Sequence, residues 1–231
     1  MEKYLYLFLD IATLAIPLLA SFYPKHSYYK NWISLFKAIV IVAVPFLIWD
    51  AFFTGLGVWG FNATYLSGVF LGNLPIEEVL FFFCIPYSSV FVYFSMEYLL
   101  KENYFKSIHR FISVTLILMG LVLLVFNYNK WYTASTFCLL VVYLVCNLIL
   151  KRDLSLHYFA YSVTLVFFFI VNGVLTGSFI SEPVVWYDDA QNLGVRLGTI
   201  PFEDVFYGFL LIALVIDFFN YFRNQKRLGL A

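Results

Sequence analysis

The sequence predicts an all-α membrane protein of about seven transmembrane helices, built as two parallel three-helix repeats joined by a connector helix. Three observations lead there. The 231 residues are 63% hydrophobic and only 12% charged, where a soluble domain carries about 25% charged residues. Apolar runs long enough to cross a bilayer recur along the whole chain. One acidic motif occurs twice, as Gly72-Asn73-Leu74-Pro75-Ile76-Glu77-Glu78-Val79 and as Gly198-Thr199-Ile200-Pro201-Phe202-Glu203-Asp204-Val205.

A span needs about 17–25 apolar residues, and such runs fall at roughly 4–22, 33–53, 76–99, 111–126, 131–150, 156–177 and 202–222. The first run carries Asp10, lacks a strongly basic start and shows no convincing small-residue cleavage site. It therefore reads as a span and not as a cleavable signal. The fourth run is the shortest. Loop charges orient the bundle. Lys25, Lys30, Lys37, Lys101, Lys106, Arg110, Lys151, Arg152, Arg223, Lys226 and Arg227 fall on one side, against Lys3, Lys130 and Arg196 on the other. The positive-inside rule then predicts a multi-pass protein of the cytoplasmic (inner) membrane, with the N-terminus outside and the C-terminus in the cytoplasm.

The repeat extends beyond the acidic motif. Asp50-Ala-Phe-Phe-Thr54-Gly55 is echoed by Asn172-Gly-Val-Leu-Thr176-Gly177, and each is followed by an outer loop and then by the motif. Residues 1–102 thus form a first repeat (helices one to three), 103–130 a connector with helix four, and 131–231 a second repeat (helices five to seven). Helices one and five run the same way, so the repeats are related by a pseudo-two-fold axis along the membrane normal, where sites commonly lie at the repeat interface. The outer loops, roughly 54–74 and 178–200, read either as lids over the bundle or as interfacial loops with aromatic anchors. The second of them also holds Glu182, Asp188 and Asp189.

Carboxylates beside hydrocarbon are the costly feature. A charge at a span centre costs roughly 2.5–3.5 kcal/mol even on the lenient insertion scale, and its default reading is functional. Pro75 and Pro201 suit a first helical turn, which places Glu77, Glu78, Glu203 and Asp204 in the first or second turn. Asp50 and Asn172 fall near the outer ends of helices two and six, at similar depth. A helix N-terminus favours the anion, while burial and like-charge neighbours favour the neutral acid. The expected outcome is one protonated carboxyl beside an ionised one, the arrangement an acid–base catalyst needs. The plainer reading of each motif, taken alone, is a good helix start.

Other polar residues carry less. Asp10 either joins the site or hydrogen-bonds a neighbour. Glu97 and Asp217 are expected to be solvated or paired with Lys101 or Arg223 near the cytoplasmic ends. Trp49, Trp59, Tyr65, Trp186 and Tyr187 cluster in sequence beside the acids and could line a substrate or stabilise a cation, since aromatic faces attract cations. The three cysteines lie in apolar runs and are odd in number, which argues against a disulfide framework. The three histidines are scattered, so no metal site is expected. Formal net charge is zero and gives no reason to expect nucleic acid. No phosphate loop or dinucleotide fingerprint is present, so no cofactor is expected.

The stretch Leu47-Ile48-Trp49-Asp50, then Gly55-Leu56-Gly57-Val58-Trp59-Gly60-Phe61-Asn62, then Leu74-Pro75-Ile76-Glu77-Glu78 with Phe81-Phe82-Phe83, resembles the membrane-integral lycopene cyclase domain family. So do Val185-Trp186-Tyr187 and Asn192 through Asp204. The resemblance implies a fused, two-half, non-flavin cyclase that converts the ψ-ends of lycopene to β-rings, giving β-carotene by way of γ-carotene. It also implies a lipid-dissolved substrate arriving laterally through membrane lipids, with other carotenoid-pathway enzymes as further partners. Catalytic roles would fall to Glu77 or Glu78 and to Glu203 or Asp204, with Asp50 and Asn172 orienting them or relaying protons. The competing readings are a proton-coupled membrane transporter and a non-catalytic carotenoid-binding membrane protein. A retinal Schiff base is excluded because the membrane-spanning run of helix seven has no lysine.

Overall fold

A computed structural model describes residues 2–103 and 105–228. Among these are seven helices long and apolar enough to cross a membrane. They are α1 (Leu5–Ala20), α2 (Trp32–Leu56), α3 (Ile76–Leu99), α4 (His109–Phe126), α5 (Trp131–Ile149), α6 (Ser155–Leu175) and α7 (Phe202–Arg227). Their limits follow the chemistry of the ends. The second helix runs on to Leu56 and stops where Gly57, at φ 72°, takes the left-handed conformation that closes many helices. The last helix continues beyond its apolar run, with Lys226 and Arg227 in its final turn, where cations suit the helix C-terminus.

The helices are arranged as two repeats. Within them α1 packs on α3 and α5 on α7; between them α2 packs along α7 and α3 against α6. The interchange of these last two pairs is what a two-fold relation between parallel repeats requires. The connector α4 lies against α5, and Gly120 allows the close approach, because a Cβ there would come within 2.8 Å of Val141 Cγ2. Small residues let helix backbones approach in a bilayer, where packing rather than water exclusion drives association. The apolar core is shared by α2, α3, α5 and α7, with Leu35, Ile39, Phe82, Phe137, Leu140 and Phe219 fully buried. By contrast, the only buried residues of α1 are Tyr6 and Asp10. The inward-turned part of that helix is polar.

Pro17 bends the ladder of α1. A proline cannot donate to the carbonyl four residues back, and here that freed Thr13 carbonyl accepts the Ser88 hydroxyl at 3.0 Å. The bond ties α1 to α3 at mid-depth.

The loops beside the motifs contain strands that the apolar pattern does not announce. Two antiparallel hairpins, β2 (Phe70–Leu71) with β3 (Leu74–Pro75) and β5 (Arg196–Leu197) with β6 (Ile200–Pro201), precede α3 and α7. A third pair joins the repeats: β1 (Trp59–Phe61) runs antiparallel to β4 (Val185–Tyr187), with Trp59 opposite Tyr187. At the other end of the bundle, Arg223 forms a two-pronged bridge to Glu97 at 2.6 and 2.8 Å. Asp217 does not take Lys101 or Arg223. It accepts Tyr143 Oη at 3.0 Å and lies 3.3 Å from His157 and 3.6 Å from Arg152, because it projects from α7 toward α5 and α6.

Candidate active site

Each acidic motif builds the same small device, a tight hairpin that feeds directly into a helix. Gly72 and Gly198 sit at φ 65° and 68° as the first residue of a two-residue turn, the place where a type II′ hairpin requires positive φ. The strand then ends on Pro75 or Pro201. Both prolines stand at the helix N-cap in an extended conformation (ψ 150° and 140°), and not inside the first turn as the sequence suggested. Their fixed φ fits the strand end equally well. The acids are therefore the second and third residues of each helix, and successive residues point about 100° apart.

That angle separates their work. Glu77 turns back to the loop and accepts Ser67 N–H at 2.6 Å. Glu203 does the same for Leu193 N–H at 2.8 Å and also takes the Thr133 hydroxyl at 2.5 Å. Both are fully buried. Glu78 and Asp204 turn instead into the bundle, where both line one cavity.

The two inward acids have equivalent first partners. Tyr6 donates its hydroxyl to Glu78 at 2.5 Å and Tyr132 donates to Asp204 at 2.6 Å, each tyrosine lying 72 residues before its acid. Beyond that the halves differ. Asp204 also accepts Asn172 Nδ2 at 2.9 Å and the Tyr187 hydroxyl at 3.0 Å. Burial, then the Asp204 carboxylate, push the Tyr187 hydroxyl well above its ordinary range, so Tyr187 is a donor. Glu78 shares the cavity wall with a second carboxyl, that of Asp50. Asp50 Oδ1 accepts Trp59 Nε1 at 2.5 Å and Thr54 Oγ1 at 3.3 Å, while Oδ2 has no partner among the described residues. An ionised carboxylate only accepts, so a bond between two such acids would require a proton on one of them. The first repeat thus brings two carboxyls to the cavity, while the second presents an acceptor fixed by three donors.

The cavity measures about 440 Å³, within the range of small-molecule pockets. Its polar end carries Glu78, Asp50, Asp204 and Asn172, and its walls include the rings of Trp59, Tyr132, Tyr187 and Tyr207. Trp59 meets Tyr132 edge to face at 5.1 Å, and Tyr132 stacks on Tyr187 at 6.0 Å. The remaining lining is mostly apolar and comes from α1, α3, α6 and α7. Ile16 of α1 and Ile170 of α6 line it yet are 75% and 62% exposed. The cavity therefore opens sideways, between α1 and α6.

Of the aromatic residues singled out in the sequence, Trp59 and Tyr187 reach the cavity; Trp49, Tyr65 and Trp186 do not line it. Trp49 is one residue before Asp50 and so points away, against Phe46, Phe53 and Tyr207. Tyr65 is buried in a side cluster with Leu66, Leu175 and Val184, and its hydroxyl pairs with Ser181 at 3.2 Å. Trp186 is the strand residue between two inward ones and lies outside, over Gly60. Asp10 is buried but does not line the cavity. Tyr6, Tyr132 and Tyr207 were not foreseen. Aligning the helices that open the repeats would have found the first two, since a tyrosine precedes each inward acid by the same distance.

A family model described as lycopene cyclase matches the chain twice, over residues 3–96 and 129–222. Comparison with curated proteins and with solved structures gives no match. The two matched stretches each contain one hairpin, one acidic helix tip and one tyrosine-bound inward acid, and together they cover most of the chain, which belongs to the lycopene cyclase family.

Proposed function

We infer that this member of the lycopene cyclase family is a carotenoid-cyclising membrane enzyme. We propose that it is a lycopene β-cyclase that closes both ψ-ends of lycopene in turn at one composite site, giving β-carotene by way of γ-carotene. The observation that carries this reading is that two carboxyls of the first repeat, Asp50 and Glu78, line one greasy cavity with a donor-saturated Asp204 of the second. In the proposed step Glu78 gives its proton to the terminal double bond of the polyene, leaving a tertiary cation. The π electrons of the internal double bond attack that carbon, which closes a six-membered ring and moves the positive charge onto the ring. Asp204 removes a ring proton and the electrons of that C–H bond become the new double bond. One proton is added and one removed, no electrons are exchanged, and the product is an isomer of the substrate. This is intramolecular lyase chemistry and needs no redox cofactor.

The surroundings support each stage. The rings of Trp59, Tyr132 and Tyr207 present π faces to a passing cation, an attraction that grows when water is excluded. Tyr207 lies among Asp50, Glu78 and Asp204. Trp59 fixes Asp50 beside Glu78, and Asn172 orients Asp204. The sideways mouth suits a substrate dissolved among lipid tails. We further place the motif-bearing end at the outer face of the cytoplasmic membrane, because the basic residues gather at the opposite end.

The test uses purified protein in liposomes loaded with lycopene, in deuterated water. β-Carotene carrying one solvent deuterium in each new ring is the expected result. Binding of lycopene without conversion would make the chain a carotenoid-binding protein, and activity only under a transmembrane proton gradient would favour a transporter.

A further inference from the structure

An isomerising acid–base enzyme ends each ring closure with its donor empty and its acceptor loaded. The donor must be refilled before the next end of the substrate can react. The first repeat contains a second acid pair that the ring-closing step does not use. Asp10 is 1% exposed, and neither of its oxygens has a hydrogen-bond partner among the described residues. Glu77 keeps Oε1 on Ser67 N–H, but its Oε2 is equally without a partner. Asp10 on α1 and Glu77 on α3 are both buried, and the two helices pack together. Tyr6 and Asp10 are one helical turn apart on α1, hence on one face, and that face meets α3. Above Glu77 the loop reaches the surface, with Ser67 half-buried and Gly68 and Val69 exposed.

The second repeat lacks this pair. Four residues after Tyr132, at the place of Asp10, stands Thr136, buried and without a hydrogen-bond partner among the described residues. The halves thus differ at two inward positions, Asp10 against Thr136 and Asp50 against Asn172. In both, the carboxyl belongs to the repeat that donates. A lone charge in this setting would be costly, so each of these unpartnered carboxyls is suited to hold a proton.

We propose that Asp10, with Glu77, is a proton-delivery residue that passes a proton from the motif-side surface to Glu78 after each ring closure. This rests on the cyclase reading above. Asp204 returns its proton to water, so one proton enters and one leaves per ring. Asp10 touches no substrate and acts only through Glu78.

The experiment follows rings formed per protein against time in liposomes holding lycopene, for the wild type, Asp10→Asn and Asp10→Thr. The threonine variant copies the residue that the second repeat packs at this place, and serves should the asparagine variant not fold. Expected is a burst of about one ring per protein at the wild-type rate, followed by turnover at least about tenfold slower, a loss equivalent to ~1.4 kcal/mol. A folded variant whose progress curve has no burst, whatever its rate, overturns the relay. A wild-type protein that forms no rings defeats the cyclase reading itself, which separates the two failures.

Discussion

Glu78 and Asp204 occupy equivalent places in the two repeats, yet their neighbours differ. Among the described residues Glu78 accepts only the Tyr6 hydroxyl and shares its cavity wall with Asp50, whereas Asp204 accepts three donors. Removing an acid–base group costs about 10²–10⁴ in rate, so Glu78→Gln should lose turnover by that factor while pigment still co-purifies. Trp59→Phe keeps an aromatic wall but removes the donor to Asp50. A hydrogen bond to a charged group is worth about 1.5–3 kcal/mol, and turnover should fall tenfold to a hundredfold with little change in pigment binding. The acid pairs themselves were legible in the sequence, because charges are rare in spans and these came twice. Which member of each pair faces the cavity was not, since that depends on how each helix is rotated. Tyr6, Tyr132 and Tyr207 were hidden for another reason: among 18 tyrosines in an aromatic-rich chain, three in apolar helices carry no local mark.

At the scale of elements, the seven helices follow from run length and the loop charges, and the fourth, shortest run is indeed the peripheral connector. The hairpins escaped because strands of two or three residues leave no periodicity to read. Their clue lay in the repeated Gly at the turn. Left-handed backbone costs a residue with a Cβ roughly 1–2 kcal/mol, so Gly198→Ala should lower thermal stability by about that much and loosen the tip of α7. Glu203 binds loop and helix together through Leu193 and Thr133. Glu203→Ala should lower stability by about 1.5–3 kcal/mol, read from detergent melting curves, and the variant should keep ring-closing activity below its melting point. A variant that melts like the wild type but is inactive would move Glu203 into the chemistry.

The whole molecule is a cavity slung between two repeats, polar at the motif end and open to lipid on one side. The two ends of the bundle are fastened separately, by the β1–β4 pair across the motif end and by the Arg223–Glu97 bridge at the other. The cavity opens in the wall between α1 and α6. Ala12 lines the cavity and is exposed at its mouth. Ala12→Trp should therefore reduce kcat/KM for lycopene by about tenfold, or ~1.4 kcal/mol, with kcat little changed at saturating substrate. Equal loss in detergent micelles of any composition, with KM unmoved, would place the path elsewhere.

The central claim is that one composite site contains a donor from one repeat and an acceptor from the other. Product analysis of Glu78→Gln beside Asp204→Asn tests it most directly. Glu78→Gln should slow both ring closures alike by about 10²–10⁴, whereas Asp204→Asn should still consume lycopene slowly and give products in which the ring cation has lost a different proton or captured water. A pair of variants in which each blocks one ring and leaves the other at the wild-type rate would contradict it, and would mean that the repeats work as two separate sites.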